Sequence, residues 1–93
     1  MDALNIPLEM IAACGTDGSL RPVRFRLTAE DQSLVTVRIR AIKSVREIRY
    51  VGIEAIQYVC TAELGGRERL FELRYTVRPH CWTLCRFLDG GAA

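Results

Sequence analysis

Apolar and polar residues alternate along most of this chain, and the alternation is clearest in residues 34–42. The odd positions of that stretch carry Val, Val, Ile and Ala, whereas the even positions include Thr36, Arg38 and Arg40. A period of two is typical of a β-strand that buries one side. The stretch therefore predicts a strand with a basic outer side.

The same period marks the rest of the chain. The predicted strands are residues 6–14, 20–28, 34–42, 54–64, 67–77 and 81–88. In the second strand Val23, Phe25 and Leu27 should point inward, and Pro22 should mark a sheet edge or a bulge because it lacks an N–H donor. Five or six short antiparallel strands predict an all-β fold, a small SH3-like or OB-like barrel, since closure removes exposed edges.

Two places depart from regular alternation. The apolar positions change parity at Ala41-Ile42, which predicts a bulge or a sharp bend. In residues 44–51 the Ser44-x-x-Glu47 pattern suits a helix capping box, but the β-branched valines and Gly52 disfavour a helix. A continued strand or extended connector is favoured there, and a short helix or an irregular loop stays open.

Length and composition indicate one globular domain. The chain has 93 residues, of which 49% are hydrophobic, and we assign residues 1–88 to a single barrel and 89–93 to a flexible tail. No apolar run reaches the roughly 18 residues that a membrane-spanning helix needs. Residues 1–4 lack the basic start of a secretory signal, so a cytoplasmic protein without a membrane partner is expected.

The four cysteines do not suggest a disulfide framework or a metal site. Their positions are Cys14, Cys60, Cys81 and Cys85. All four fall in predicted strands among apolar neighbours, so we expect reduced, buried thiols. Cys81 and Cys85 on one strand would lie about 13 Å apart, too far to share an ion. No metal or other cofactor is expected.

Catalytic constellations are also missing from the sequence. His80 is the only histidine and precedes Cys81, but adjacent residues of a strand point to opposite sides, so the two should not form a nucleophile–base pair. Glu68 and Glu72 lie on one side of a strand among arginines and suit cross-strand ion pairs. The sequence therefore predicts a protein that is not an enzyme.

Arginine dominates the basic residues, with twelve arginines and one lysine. Arg24, Arg26, Arg38 and Arg40 alternate on two successive strands and should project from one side of the sheet. A nucleic acid or another polyanion could bind there, although the aromatic residues lie on the opposite parity. The alternative is a solvated face whose charges are offset by glutamates.

Apolar residues on the outward parity are more numerous than a small barrel needs. They are Ile11, Ala13, Leu34, Ile42, Ile53, Val59 and Leu70. A contiguous apolar patch marks a contact surface. We therefore expect a non-enzymatic interaction module that binds a protein partner or forms a homodimer, with nucleic-acid binding as the alternative.

Four segments carry a resemblance to known sequences: residues 21–26, 37–40, 58–60 and 71–75. Together they resemble small uncharacterised bacterial proteins predicted to form SH3-like barrels, over most of residues 6–88. The resemblance implies the barrel fold. By analogy of fold alone it implies a binding module for peptides or nucleic acids, and it assigns no site residue.

Overall fold

The computed structural model, which describes residues 3–28 and 31–89, is a closed antiparallel barrel. The strands are β1 (Ile6–Cys14), β2 (Leu20–Thr28), β3 (Leu34–Tyr50), β4 (Ile53–Leu64), β5 (Arg67–Thr76) and β6 (Cys81–Phe87). Each strand pairs with the next, and β1 closes the barrel on β6. The predicted all-β fold, a small SH3-like or OB-like barrel, is confirmed.

Helices play no part in the described ranges. Accordingly, no helix there is long and apolar enough to cross a membrane. The tail predicted for residues 89–93 falls outside the described residues apart from Asp89, whose carboxylate accepts hydrogen bonds from the Arg69 side chain and the Leu70 N–H.

The buried side chains of the core come from β2 to β6, and partly buried residues of β1 pack against them. The fully buried members of the core include Phe25, Val37, Tyr58, Phe71 and Leu73. The rings of Phe25 and Phe71 meet edge to face, with centroids 5.8 Å apart, an arrangement that aromatic pairs favour. The one hydroxyl among these five residues belongs to Tyr58, and it donates to a backbone carbonyl of β2, that of Leu20, at 2.6 Å.

A bulge interrupts the pairing of β1 with β2. Ile11 lies opposite Arg24 and the next residue, Ala12, lies opposite Pro22, so Val23 is the extra residue. The bulge predicted from Pro22 is confirmed. Val23 is exposed while Pro22 is buried, so the inward prediction for Val23 was wrong, because the extra residue shifts the alternation by one.

Two bulges follow in close succession in β3. Ile39 and Ala41 face adjacent residues of β4, so Arg40 between them has no partner. Ile42 and Ser44 likewise face adjacent residues of β4, which leaves Lys43 without a partner. The first bulge turns Ile42 towards the barrel interior, opposite a buried residue of β4. The predicted change of parity is therefore confirmed, but the second bulge, which was not predicted, reverses it.

Beyond the bulges β3 runs on to Tyr50 and forms a long hairpin with β4. The favoured extended structure of residues 44–51 is confirmed up to that point, and the helix and loop alternatives were wrong. The turn has two residues, Val51 and Gly52, with φ of 47° and 80°. Two successive positive φ angles characterise the type I′ turn, which matches the twist of a hairpin.

Candidate functional site

The predicted arginine face is built on the pairing of β2 with β3. The register places Arg24 directly opposite Arg38, and Arg26 opposite Thr36. Arg26 also forms an ion pair with Glu9 across the pairing of β2 with β1. One of the four predicted site residues is thus neutralised, whereas two others oppose each other as like charges.

Arg40, the fourth residue, is the extra residue of a bulge. Its guanidinium lies 3.5 Å from the Glu68 carboxylate, and Glu72 pairs with Arg86 on β6. The prediction that both glutamates are ion-pair partners is confirmed.

A shallow groove brings three of the four arginines together. Its volume is about 640 Å³, and its lining is Arg24, Thr36, Arg38, Ile39, Arg40 and Glu63. Within residues 3–28 and 31–89 no carboxylate forms an ion pair with Arg24 or Arg38. Phe25 lies on the buried side of the sheet, so the groove offers charge and hydrogen-bond donors but no aromatic ring from that strand for stacking.

His80 lies in the turn before β6, exposed and with φ of 57°. Its Nδ1 is 2.8 Å from the Tyr75 hydroxyl, while the neighbouring Cys81 thiol donates to the Pro79 carbonyl at 3.4 Å. The two side chains have different partners. The geometry therefore does not make a thiolate–imidazole pair of them.

All four cysteines are free. Cys60 and Cys85 are buried, but Cys14 and Cys81 are exposed, so the prediction of four core residues was wrong for the two that terminate strands. Burial raises the pKa of the Cys60 thiol to about 12 and also raises that of Cys85. In the part of the chain that the structure describes, no group of three or more potential ligands could hold a metal ion.

Exposed apolar side chains concentrate on the β3–β4 hairpin. The exposed fractions are 57% for Val45, 70% for Tyr50, 86% for Val51 and 54% for Ile53. Only Ile53 belongs to the seven outward residues that the alternation singled out. Of the other six, Ile11 and Leu34 are exposed, and the rest are half-buried: Ala13, Ile42, Val59 and Leu70.

The two faces of the hairpin differ in chemistry. Because the second bulge restores the original parity, Ile48 and Tyr50 lie on the outer face, opposite Ala55 and Ile53. The inner face carries alternating charge near the turn, including Arg49, whose side chain lies 3.8 Å from Glu54 across the hairpin. Next to the turn an apolar outer face thus lies back to back with a charged inner one, whereas the exposed Val45 lies on the inner face, opposite Tyr58.

The outer edge of β3 beyond the bulges has no neighbouring strand in the described ranges. The pairing of β2 with β3 ends at Arg38, so residues 44–50 pair with β4 alone. The Glu54 carbonyl accepts from the Val77 N–H at 3.0 Å, which shows that the backbone of Glu54 points away from β3. Its opposite residue, Arg49, therefore directs its own N–H and C=O to the free edge.

The same orientation recurs at every second residue. Pairing is regular between Ser44 and Tyr50, and hydrogen-bonded and non-hydrogen-bonded pairs alternate along an antiparallel ladder. Glu47 and Val45 therefore also direct their backbone groups outwards. An unpaired edge of this kind is a template for another strand.

No family model, no curated protein and no solved structure matches this chain.

Proposed function

We propose that this protein is a non-enzymatic interaction module that contacts protein through the β3–β4 hairpin. The observation that carries the proposal is the coincidence of an apolar patch with an open strand edge. Tyr50 and Ile53 stand side by side on the outer face, and along the adjoining edge the outward backbone groups of residues 45–49 have no strand partner among the described residues. Strand addition draws affinity from such an edge and specificity from the neighbouring side chains.

The expected cellular location rests on a resemblance. The similarity to small bacterial proteins with SH3-like barrels favours a cytoplasmic module of this kind. Small barrels of many families serve as binding modules, and this analogy of fold supports the proposal.

Site-specific photo-crosslinking tests the hairpin directly. A photoreactive phenylalanine analogue at position 50 replaces one exposed aromatic residue by another, and the matched control carries the analogue at Leu34, which is exposed on β3 outside the hairpin. Crosslinked protein adducts are expected from position 50 in cells and not from position 34. Equal yields at both positions, or none at position 50, would contradict the proposal.

Nucleic-acid binding is a second candidate function, supported by the groove of Arg24, Arg38 and Arg40. Two guanidinium groups that oppose each other across a ladder destabilise it, and a bound phosphate would offset that repulsion. The lack of an exposed aromatic ring from β2 and the ion pair of Arg40 with Glu68 weaken this candidate relative to the hairpin.

Oligonucleotide titration at increasing salt tests the second candidate. If Arg24 and Arg38 neutralise phosphates, replacing both by Gln should weaken binding and reduce the slope of log affinity against log salt by about two. Arg67→Gln, at an exposed residue of β5, is the control. Undetectable binding of the unaltered protein to single strands and duplexes at low salt would exclude this function.

A further inference from the structure

We infer that the occupant of the β3 edge is a second copy of this chain, joined antiparallel through residues 45–51 so that two barrels share one sheet. The inference rests on the proposed function and names its partner. In such a dimer the symmetry axis runs through the sheet, and each side chain faces one of the same parity from the other copy. The possible registers are therefore few and can be compared one by one.

The register centred on Ile48 is complementary at every position. Glu47 of each copy faces Arg49 of the other, which gives two symmetric pairs of opposite charge on the inner face. On the outer face Ile48 meets its own equivalent, and Arg46 meets the exposed ring of Tyr50, a suitable partner for a guanidinium. Cross-strand pairs of these kinds stabilise an antiparallel ladder.

Neighbouring registers are not complementary. Centring on Glu47 places two carboxylates opposite each other at the axis, and centring on Arg49 or Arg46 places two guanidinium groups there. The backbone groups of Glu47 and Arg49 point to the free edge, so the register centred on Ile48 forms hydrogen-bonded pairs at both, as any register that pairs residues of the same parity would. The side chains therefore select the alignment, and the backbone is compatible with it.

The arginine side chains that the register centred on Ile48 uses are exposed and make weak or solvent-exposed contacts within one copy. The one ion pair that Arg49 makes within the described residues spans 3.8 Å between largely exposed groups, and such pairs contribute little. Arg46 donates to Gln57 at 2.9 Å from the outer face and remains exposed. Since the shared edge is short, we expect a dissociation constant on the order of 1–100 µM.

Sedimentation of charge variants over a range of protein concentrations tests the register. Glu47→Arg and Arg49→Glu should each weaken self-association at least about tenfold, because both symmetric pairs become like-charged. An equimolar mixture of the two variants should recover the dimer, since opposite charges then face each other at both positions. Arg67→Glu, the same charge change as Arg49→Glu at an exposed residue of β5, should leave association unchanged.

A proline variant at Glu47 removes a backbone donor of the edge together with the carboxylate that faces Arg49. The Glu47 N–H points to the free edge, so Glu47→Pro removes a donor that β4 does not use, and it should abolish the dimer while the barrel stays folded by circular dichroism. Association that Glu47→Pro and the charge variants leave intact would overturn the inference.

Failure of the inference is distinguishable from failure of the proposed function. A protein that stays monomeric up to about 1 mM, far above the expected constant, but yields heavier adducts from position 50 excludes the second copy and leaves the hairpin as a docking site for another protein. An adduct of twice the chain mass, lost in Glu47→Pro, supports both.

Discussion

Replacing Val51 by Asn should stabilise the fold, although it removes an apolar residue. Val51 occupies the first position of the hairpin turn with φ of 47°, in the left-handed region that β-branched residues rarely adopt. That conformation costs an ordinary L-residue roughly 1–2 kcal/mol, whereas Asn tolerates it and Asn-Gly is the preferred pair for a type I′ turn. Val51 is 86% exposed, so almost no burial is lost. The expected gain is about 1 kcal/mol, equivalent to about 4–8 °C in Tm for a domain of this size.

The matched control is the same substitution elsewhere on the hairpin. Val45 is 57% exposed but lies within regular β3, where Asn is a poor strand former, so Val45→Asn should destabilise by about 0.5–1 kcal/mol. Urea unfolding followed by tryptophan fluorescence, at a dilution where the chain is monomeric, measures both variants. The reasoning is refuted if Val51→Asn is no more stable than the parent protein, or if both variants shift in the same direction.

Three further outcomes follow from buried or bonded groups. Tyr58→Phe leaves a carbonyl of β2 without its donor and should lower the free energy of unfolding in urea by about 1–2 kcal/mol; no change would mean that water replaces the hydroxyl. Because burial raises the pKa of Cys60 to about 12 while Cys14 is exposed, iodoacetamide at pH 8 should modify Cys14 in the folded protein and Cys60 only after unfolding, as mass spectrometry will show. Hydrogen bonding from the Arg69 side chain lowers the pKa of Asp89, so its stabilising contribution exists above the unfolded pKa of about 3.9 and disappears as pH falls through the lowered value. Asp89→Asn should therefore be less stable than the parent at pH 7 and equal to it in strong acid, and a constant difference would contradict the assignment.

Most strands could be predicted because their side chains alternate in phase with the pleat. In β5 the inward residues Phe71 and Leu73 belong to the core as expected, and Gly65-Gly66 forms the turn before it, with both φ angles positive. These features depend on neighbours within a few residues of each other. A local pattern is therefore sufficient to find them.

The hairpin could not be predicted to the same depth, because bulges depend on how a strand bends around the barrel. Arg40 and Lys43 are both unmatched, and each shifts the inward positions of β3 by one residue. The two shifts cancel, so the inward positions beyond Lys43 have the same parity as those before Arg40. The apolar residues Ile48 and Tyr50 have the opposite parity, and the sequence alone therefore resembles that of a strand with only the first bulge. Ile48 and Tyr50 share the parity of the inward Ile42 in the sequence, yet they lie on the outer face. The exposed apolar cluster of the hairpin depends on that second shift.

The sequence predicts which arginines share one side of the sheet, but it does not predict which residues lie opposite them. Alternation places Arg24 and Arg38 on one side of adjacent strands, but only the register shows that they oppose each other. That register also gives Arg26 its carboxylate partner, Glu9, from a strand on the other side of β2. Partners across strands are set by tertiary closure, which is absent from a local sequence window.

The bulge at Lys43 separates the length of β3 from the chemistry of the hairpin surface. Lys43 has no partner on β4, whereas the residues on either side of it face adjacent residues of that strand. Deleting Lys43 would therefore remove the bulge and its local bend but leave every later pair in place, with Tyr50 still opposite Ile53 next to the turn. An insertion or deletion at this position would change how the hairpin is angled from the barrel and would preserve the side chains that its outer face presents.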